Sequence, residues 1–130
     1  MRTPRRACQR GTAAVEFALV LPLVLVVVLG LVQVGLLARD RLLVEAAARA
    51  GARAAAIDVD ADAVRAAALA AAPGLDGARA TVDVTRTGTR GDPVQVRVVY
   101  ADTLRVPFIG WLVGTDVTMT STAVARQEFG

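Results

Sequence analysis

The chain divides into an apolar first part and a second part in which apolar and polar residues alternate. Residues 17–38 carry no charged side chain. A helix rises about 1.5 Å per residue, so this stretch spans roughly 33 Å and can cross a hydrocarbon core of about 30 Å. Residues 39–57 continue without a break and are rich in alanine, the best helix former. The pattern predicts one helix over residues 12–57, with its first half in a membrane.

The period of the pattern changes after residue 57. Residues 61–72 predict a short helix, with Asp60 as its N-cap and Pro73 and Gly74 as its stop. Apolar and polar residues then alternate with the period of a strand in three stretches, ATVDVTR, PVQVRVVYA and TDVTMTSTAVARQE. The turn-rich TGTRGDP joins the first two as a hairpin. The predicted fold class is therefore α+β: a long N-terminal transmembrane helix that extends outside the membrane, a short helix, and an antiparallel sheet of about three strands.

The distribution of charge predicts three regions and an orientation. Residues 1–11 form a basic leader that contains Arg2, Arg5, Arg6 and Arg10 and no acid. Since basic flanks stay in the cytoplasm, the N-terminus is expected there, and residues 58–130 are expected to form a small exported α+β domain. The net charge of +3 comes from the leader, because arginines and acids balance from Arg39 onward. We therefore expect no nucleic-acid partner.

The residue types that carry catalysis and metal binding are scarce. The chain has no histidine and one cysteine, Cys8 in the leader, so an internal disulfide and a Cys/His zinc site are excluded. Asp58, Asp60 and Asp62 have the spacing of metal ligands, but alanine follows where a calcium loop needs glycine, and helix capping explains them better. We expect no enzyme, no cofactor, no metal and no small-molecule substrate.

A specific motif lies at the junction of leader and helix. Gly11 is followed by Thr12 and, after the run TAAV, by Glu16 and Phe17. An acid at the edge of a membrane span is costly and calls for a functional reason. The motif resembles the prepilin-type processing site of Flp-type pseudopilins, and the segment from Arg10 to Ala56 is similar to the TadE-like family, whose subunits have a pilin-like layout.

The resemblance implies a maturation step. A prepilin peptidase of the inner membrane would cut after Gly11 and make Thr12 the new N-terminus. A carboxylate four residues later, Glu16, could then pair with the new ammonium group in the same or a neighbouring helix. Loss of the leader would leave eleven arginines against twelve acids, which changes the formal charge from +3 to −1.

The function implied is that of a minor pseudopilin, an assembly component of a Flp-type (Tad) pilus or a related type II/IV secretion system. It would act in the cytoplasmic (inner) membrane and the pilus by packing against other pilin and pseudopilin subunits. Glu16, Phe108 and Trp111 are the candidate subunit contacts. The apolar stretch around Phe108 and Trp111 could also fold back to complete the core, or anchor at the membrane interface.

Two other functions remain open from the sequence. The chain could be an uncleaved single-pass membrane protein whose exported domain binds an envelope partner. It could also be a soluble binding domain that signal peptidase releases beyond the apolar stretch.

Overall fold

The computed structural model describes residues 6–103 and 116–128, with side chains from residue 12 onward. This part of the chain forms α1 (Arg6–Ile57), α2 (Ala61–Ala70), β1 (Ala80–Arg86), β2 (Pro93–Thr103) and β3 (Asp116–Arg126). The predicted α+β fold class is confirmed. The chain separates into two compact units, Met1–Gly35 and Leu36–Gly130. The first contains the apolar part of α1, and the second contains the end of α1, α2 and the sheet.

Helix α1 begins at Arg6, inside the leader, rather than at Thr12 as predicted. Arginine, alanine and glutamine are good helix formers, and no proline or glycine lies between Arg6 and Gly11, so nothing ends the helix there. Pro22 lies within the helix. It removes one backbone hydrogen bond, but its apolar neighbours leave the helix as the favoured conformation in lipid.

In the second unit, α1 packs on the rest of the domain through small residues. The buried positions recur every three or four residues, as expected for one face of a helix. They are Val44, Ala47, Ala48, Gly51, Ala52, Ala55 and Ala56. Arg49 and Arg53 lie on the exposed side, and Arg49 Nη2 lies 3.5 Å from Glu45 Oε2. This ion pair has the acid first at i,i+4, the order that stabilises a helix.

Helix α2 has the predicted N-cap. The Asp60 carboxylate accepts a hydrogen bond of 3.0 Å from the backbone N–H of Asp62. The helix ends at Ala70, short of the predicted residue 72, because its last turn tightens and Ala72 N–H bonds to Leu69 C=O. Val64 and Ala68 are fully buried and anchor α2 in the core.

The three strands form one antiparallel sheet in the order β1-β2-β3. Its inner face, which packs in the core, has alternate residues of β2 at its centre, Val94, Val96, Val98 and Tyr100. The outer face is exposed and rich in threonine. In the β1–β2 turn, Gly88 and Gly91 have φ angles of 112° and 92°, which favour glycine. The alternation predicted from the sequence is thus confirmed in all three strands.

Within the second unit, the end of helix α1 and strand β3 run in the same direction. At one end, the carboxyl group of Asp40 on α1 lies close to that of Asp102, the residue paired with Val117 at the start of β3. At the other end, the N–H of Glu128, just after β3, donates a 2.8 Å hydrogen bond to the carbonyl of Ala56. The chain therefore enters this domain at the Asp40 end.

Candidate functional site

The apolar part of α1 presents its side chains outward. From Thr12 to Leu29 every residue is exposed, and Phe17 retains 67% of its accessible surface. Among the described residues, one helix is long and apolar enough to cross a membrane. Soluble domains rarely expose an apolar surface of this extent, so the helix needs lipid or other helices around it. The finding points to a single-pass membrane protein.

The residues of the predicted processing motif lie close together because they share one stretch of helix. Gly11 and Thr12 are both within α1, so the peptide bond between them is part of a helix. Glu16 follows Thr12 by four residues, which places both on one face about 6 Å apart along the axis. Thr12, Glu16 and Phe17 are exposed. The helix thus carries one acid at the start of an otherwise uncharged surface.

The remaining candidate contacts are not part of this arrangement. Phe108 and Trp111 lie outside the described residues, so whether they complete the core or contact another subunit stays a prediction. The described residues contain no group of three or more histidine, cysteine or acidic side chains that could hold a metal ion. Asp58 and Asp60 instead accept hydrogen bonds from backbone N–H groups at the start of α2.

A comparison with protein families tests the resemblance to the TadE-like family. Residues 11–53 match the family described as TadE-like protein. This TadE-like segment contains Gly11, Glu16, the apolar surface of α1 and the buried residues Val44, Ala47, Ala48 and Ala52. The resemblance seen in the sequence is confirmed over this range.

The family match ends before α2. No curated protein matches the chain. No solved structure matches it either. The α2 and sheet region must therefore be interpreted from its own geometry.

A cluster of charges lies just beyond the apolar stretch, where the TadE-like segment meets the sheet. Arg79 Nη1 is 3.6 Å from Asp102 Oδ1, and Arg39 Nη1 is 3.4 Å from Asp40 Oδ1. Burial raises the pKa of the Asp40 carboxyl above its ordinary value of 3.8; the charge of Asp102 raises it further, while Arg39 lowers it. Asp40 is therefore more easily protonated in the folded domain than in the unfolded chain.

A shallow cleft lies between the TadE-like segment and the edge of the sheet. Glu45 and Arg49 line it from α1, and Ser121, Thr122 and Ala123 line it from β3. The cleft thus lies beside the middle of β3. Sequence reasoning missed both this cleft and the contact of Asp40 with Asp102, because contacts between residues so far apart in the chain leave no local pattern.

Proposed function

We propose that this chain is a minor pseudopilin, an assembly component of a Tad-type pilus or a related secretion system that acts by helix packing. The match of residues 11–53 to the TadE-like family carries this proposal. The exposed apolar surface of α1 supports it, since such a helix can pack against other helices in lipid or in a fibre.

The proposed location is the cytoplasmic membrane, with the leader on the cytoplasmic side and the domain from α2 onward outside. The arginines of the leader support this orientation, because positive flanks are retained in the cytoplasm. The charge-free residues 17–38 would form the span. Arg39 and Asp40 would then lie at the outer boundary.

The proposed maturation is a cut by a prepilin peptidase between Gly11 and Thr12. Such a cut would create a new helix N-terminus with unpaired backbone N–H groups and a terminal ammonium. Glu16 would lie within about one turn of that end, where the helix dipole favours a negative charge. Its carboxylate could neutralise the ammonium of Thr12 in the same helix or in a neighbouring subunit.

The partners proposed are other pilin and pseudopilin subunits. A carboxylate facing lipid is costly, so an ammonium from a neighbouring helix would stabilise the assembled state more than the isolated one. This difference gives Glu16 a role in assembly besides its role in the single helix.

The decisive experiment is N-terminal sequencing and intact mass measurement of the protein purified from membranes of cells that contain a prepilin peptidase. Thr12 as the first residue is the expected result. Met1 as the first residue would instead favour an uncleaved membrane protein whose exported domain binds an envelope partner. A start beyond residue 38 would indicate a released soluble domain and overturn the proposal.

The orientation has its own test. A Thr118→Cys variant in a Cys8→Ser background places a single thiol on the exposed outer face of the sheet. A membrane-impermeant thiol reagent should label it in intact spheroplasts. Labelling that requires membrane rupture would reverse the proposed orientation.

A further inference from the structure

The backbone N–H and C=O groups of β3 point alternately toward β2 and toward the free edge of the sheet. Ala101 N–H bonds to Arg79 C=O, and Gln127 N–H bonds to Asp92 C=O. In an antiparallel pair, residues point both backbone groups alternately toward and away from the partner strand. With the observed register, the odd-numbered residues of β3 therefore bond to β2, and the even-numbered ones, from Asp116 to Arg126, point both groups outward.

This outward edge lacks the features that usually protect an edge strand. Residues 117–125 contain no charge and no proline, and β3 is eleven residues long. Natural edge strands are usually short, charged, bulged or covered. Among the described residues no further strand lies beside β3, and the residues Thr118, Thr120 and Thr122 in its middle are exposed. The edge is therefore suited to accept another strand.

The opposite edge of the sheet is complementary to it. Because β1 and β3 are both antiparallel to β2, they run parallel to each other. By the same alternation, the even-numbered residues of β1 point their backbone groups away from β2. Ala80, Val82 and Val84 then offer N–H and C=O groups to a neighbour at the free side of β1.

The end at which the chain enters the second unit limits how two copies could meet. Two β3 strands could pair antiparallel about Ser121, and Asp116 would then face Arg126 of the second copy. Within this unit the residues of α1 run parallel to β3, so the two Asp40 ends would lie at opposite ends of such a pair. Parallel pairing instead places both entry points at the same end, which suits two copies whose chains leave one membrane.

We propose that β3 of one copy pairs in parallel with β1 of a second copy, so that neighbouring subunits join their sheets side by side. This inference rests on the proposed function, since it takes both copies to be anchored in one membrane. The Asp40 ends of all copies then lie on the same side of the joined sheet. The contact is heterologous: one copy keeps a free β1 and the other a free β3, so further neighbours can join at both ends.

The side chains fit this pairing. In a parallel pair, a residue whose N–H and C=O point toward the partner strand lies opposite a partner residue whose N–H and C=O point away from it. The even residues of β3 would therefore lie beside the odd residues of β1. Both sets are exposed on the outer face: Thr118, Thr120 and Thr122 in β3, and Thr81, Asp83 and Thr85 in β1. The joined sheet therefore keeps one outer and one inner face.

Disulfide cross-linking in membranes tests the proposal. Two full-length chains in a Cys8→Ser background are co-expressed, one with Thr81→Cys and the other with Thr118→Cys, Thr120→Cys or Thr122→Cys. Cα atoms of neighbouring strands lie within disulfide range. We expect a mixed dimer at one or two adjacent β3 positions, and a ladder of multimers when one chain carries both cysteines.

The matched control replaces Thr81→Cys with Arg97→Cys, which is equally exposed on the outer face but lies on the central strand β2. We expect at least a fivefold weaker cross-link from this position. A cross-link as strong from Arg97→Cys as from Thr81→Cys would overturn the proposal. So would a strong homodimer of a chain with Ser121→Cys alone, which would indicate antiparallel pairing of two β3 strands.

A backbone variant gives a second test. Thr120→Pro removes an N–H that points outward, so it should abolish the cross-link from position 81 to position 118 or 122, whichever forms, while circular dichroism shows a folded domain. Ser121→Pro removes an N–H that bonds to β2 and should unfold the sheet. An unchanged cross-link with Thr120→Pro would refute strand pairing. Thr12 as first residue together with no cross-link would leave the proposed function standing and reject only this inference.

Discussion

Gly51 on α1 lies directly against Val96 at the centre of the sheet. A Cβ atom built on Gly51 would be 3.0 Å from Val96 Cγ1 and 3.3 Å from Ala68 Cβ on α2. Few Cβ atoms in proteins have contacts this close. Gly51 therefore allows the helices and the sheet to approach one another at the point where all three meet.

Gly51→Val should destabilise the domain by roughly 1–3 kcal/mol, the usual cost of overpacking a well-filled core. The measurement is urea unfolding of the full-length protein in detergent micelles. Arg53→Val is the matched control, because it introduces the same β-branched residue on the exposed side of the same helix. Equal effects from the two variants would show that helix propensity, not packing, is responsible.

The capping of α2 by Asp60 can be measured separately. Asp60→Ala should cost about 1 kcal/mol, since the hydrogen bond from the Asp62 N–H is lost and α2 loses its N-cap. Asp60→Asn, which can accept the same hydrogen bond, should restore most of the stability. If asparagine were as damaging as alanine, the cap would not be the cause.

The pair of Asp40 and Asp102 predicts a pH dependence. The pKa of Asp40 is raised in the folded domain by burial, so the folded state binds a proton more readily than the unfolded chain. The free energy of unfolding should therefore fall as pH rises from about 4 through the raised pKa, because deprotonation then favours the unfolded chain.

Asp40→Asn removes this titration and should raise the thermal midpoint at pH 7 while changing it little near pH 4. The exposed Asp83→Asn on the outer face is the control and should show no such difference. A midpoint lowered at pH 7 by Asp40→Asn would mean that the carboxylate is stabilised by Arg39 more than it is penalised by burial.

The processing motif predicts that the side chain at position 11 must be small for the leader to be removed. Gly11→Leu should prevent leader removal, because a large side chain would replace hydrogen at the proposed cleavage position. Intact mass measurement of the membrane protein should then show the full-length chain. Gly30→Ala, in the apolar part of α1 with no atom within 4 Å of the added Cβ, should leave processing unchanged. A mature mass for Gly11→Leu would disprove the site.

Glu16 should matter for assembly and not for insertion. Glu16→Ala should leave the amount of protein in the membrane fraction unchanged but strongly reduce surface pili, since the ammonium of a neighbouring helix then loses its proposed carboxylate partner. Glu16→Asp keeps the charge and should retain part of the activity. Normal piliation with Glu16→Ala would remove Glu16 from the proposed mechanism.

Much of the fold could be predicted from local patterns. The length of the apolar run, the alternation in β1, β2 and β3, and the capping position of Asp60 each depend on residues close in sequence, and the structure agrees with them. The start of α1 at Arg6 was not predicted, because the change from basic to apolar residues marks a membrane boundary and not a helix boundary.

The long-range contacts could not be predicted from one sequence. The alanines of α1 are compatible with several buried faces, and only the positions of Val64 and Val96 select the stripe that contains Gly51. The pairing of Asp40 with Asp102 likewise depends on where β2 ends relative to α1. Of the candidate site, the motif around Gly11 and Glu16 was visible in the sequence, while the open edge of β3 required the strand order.

The core described above limits how the isolated subunit can behave. Its largest fully buried side chains are valines, and most of the buried residues of α1 are alanines. Small side chains gain little from transfer out of water, so the free energy available to a lone copy is modest. Association with neighbours stabilises a folded state by mass action. We therefore expect the protein to unfold at a higher temperature when its subunits are assembled than when a subunit is isolated.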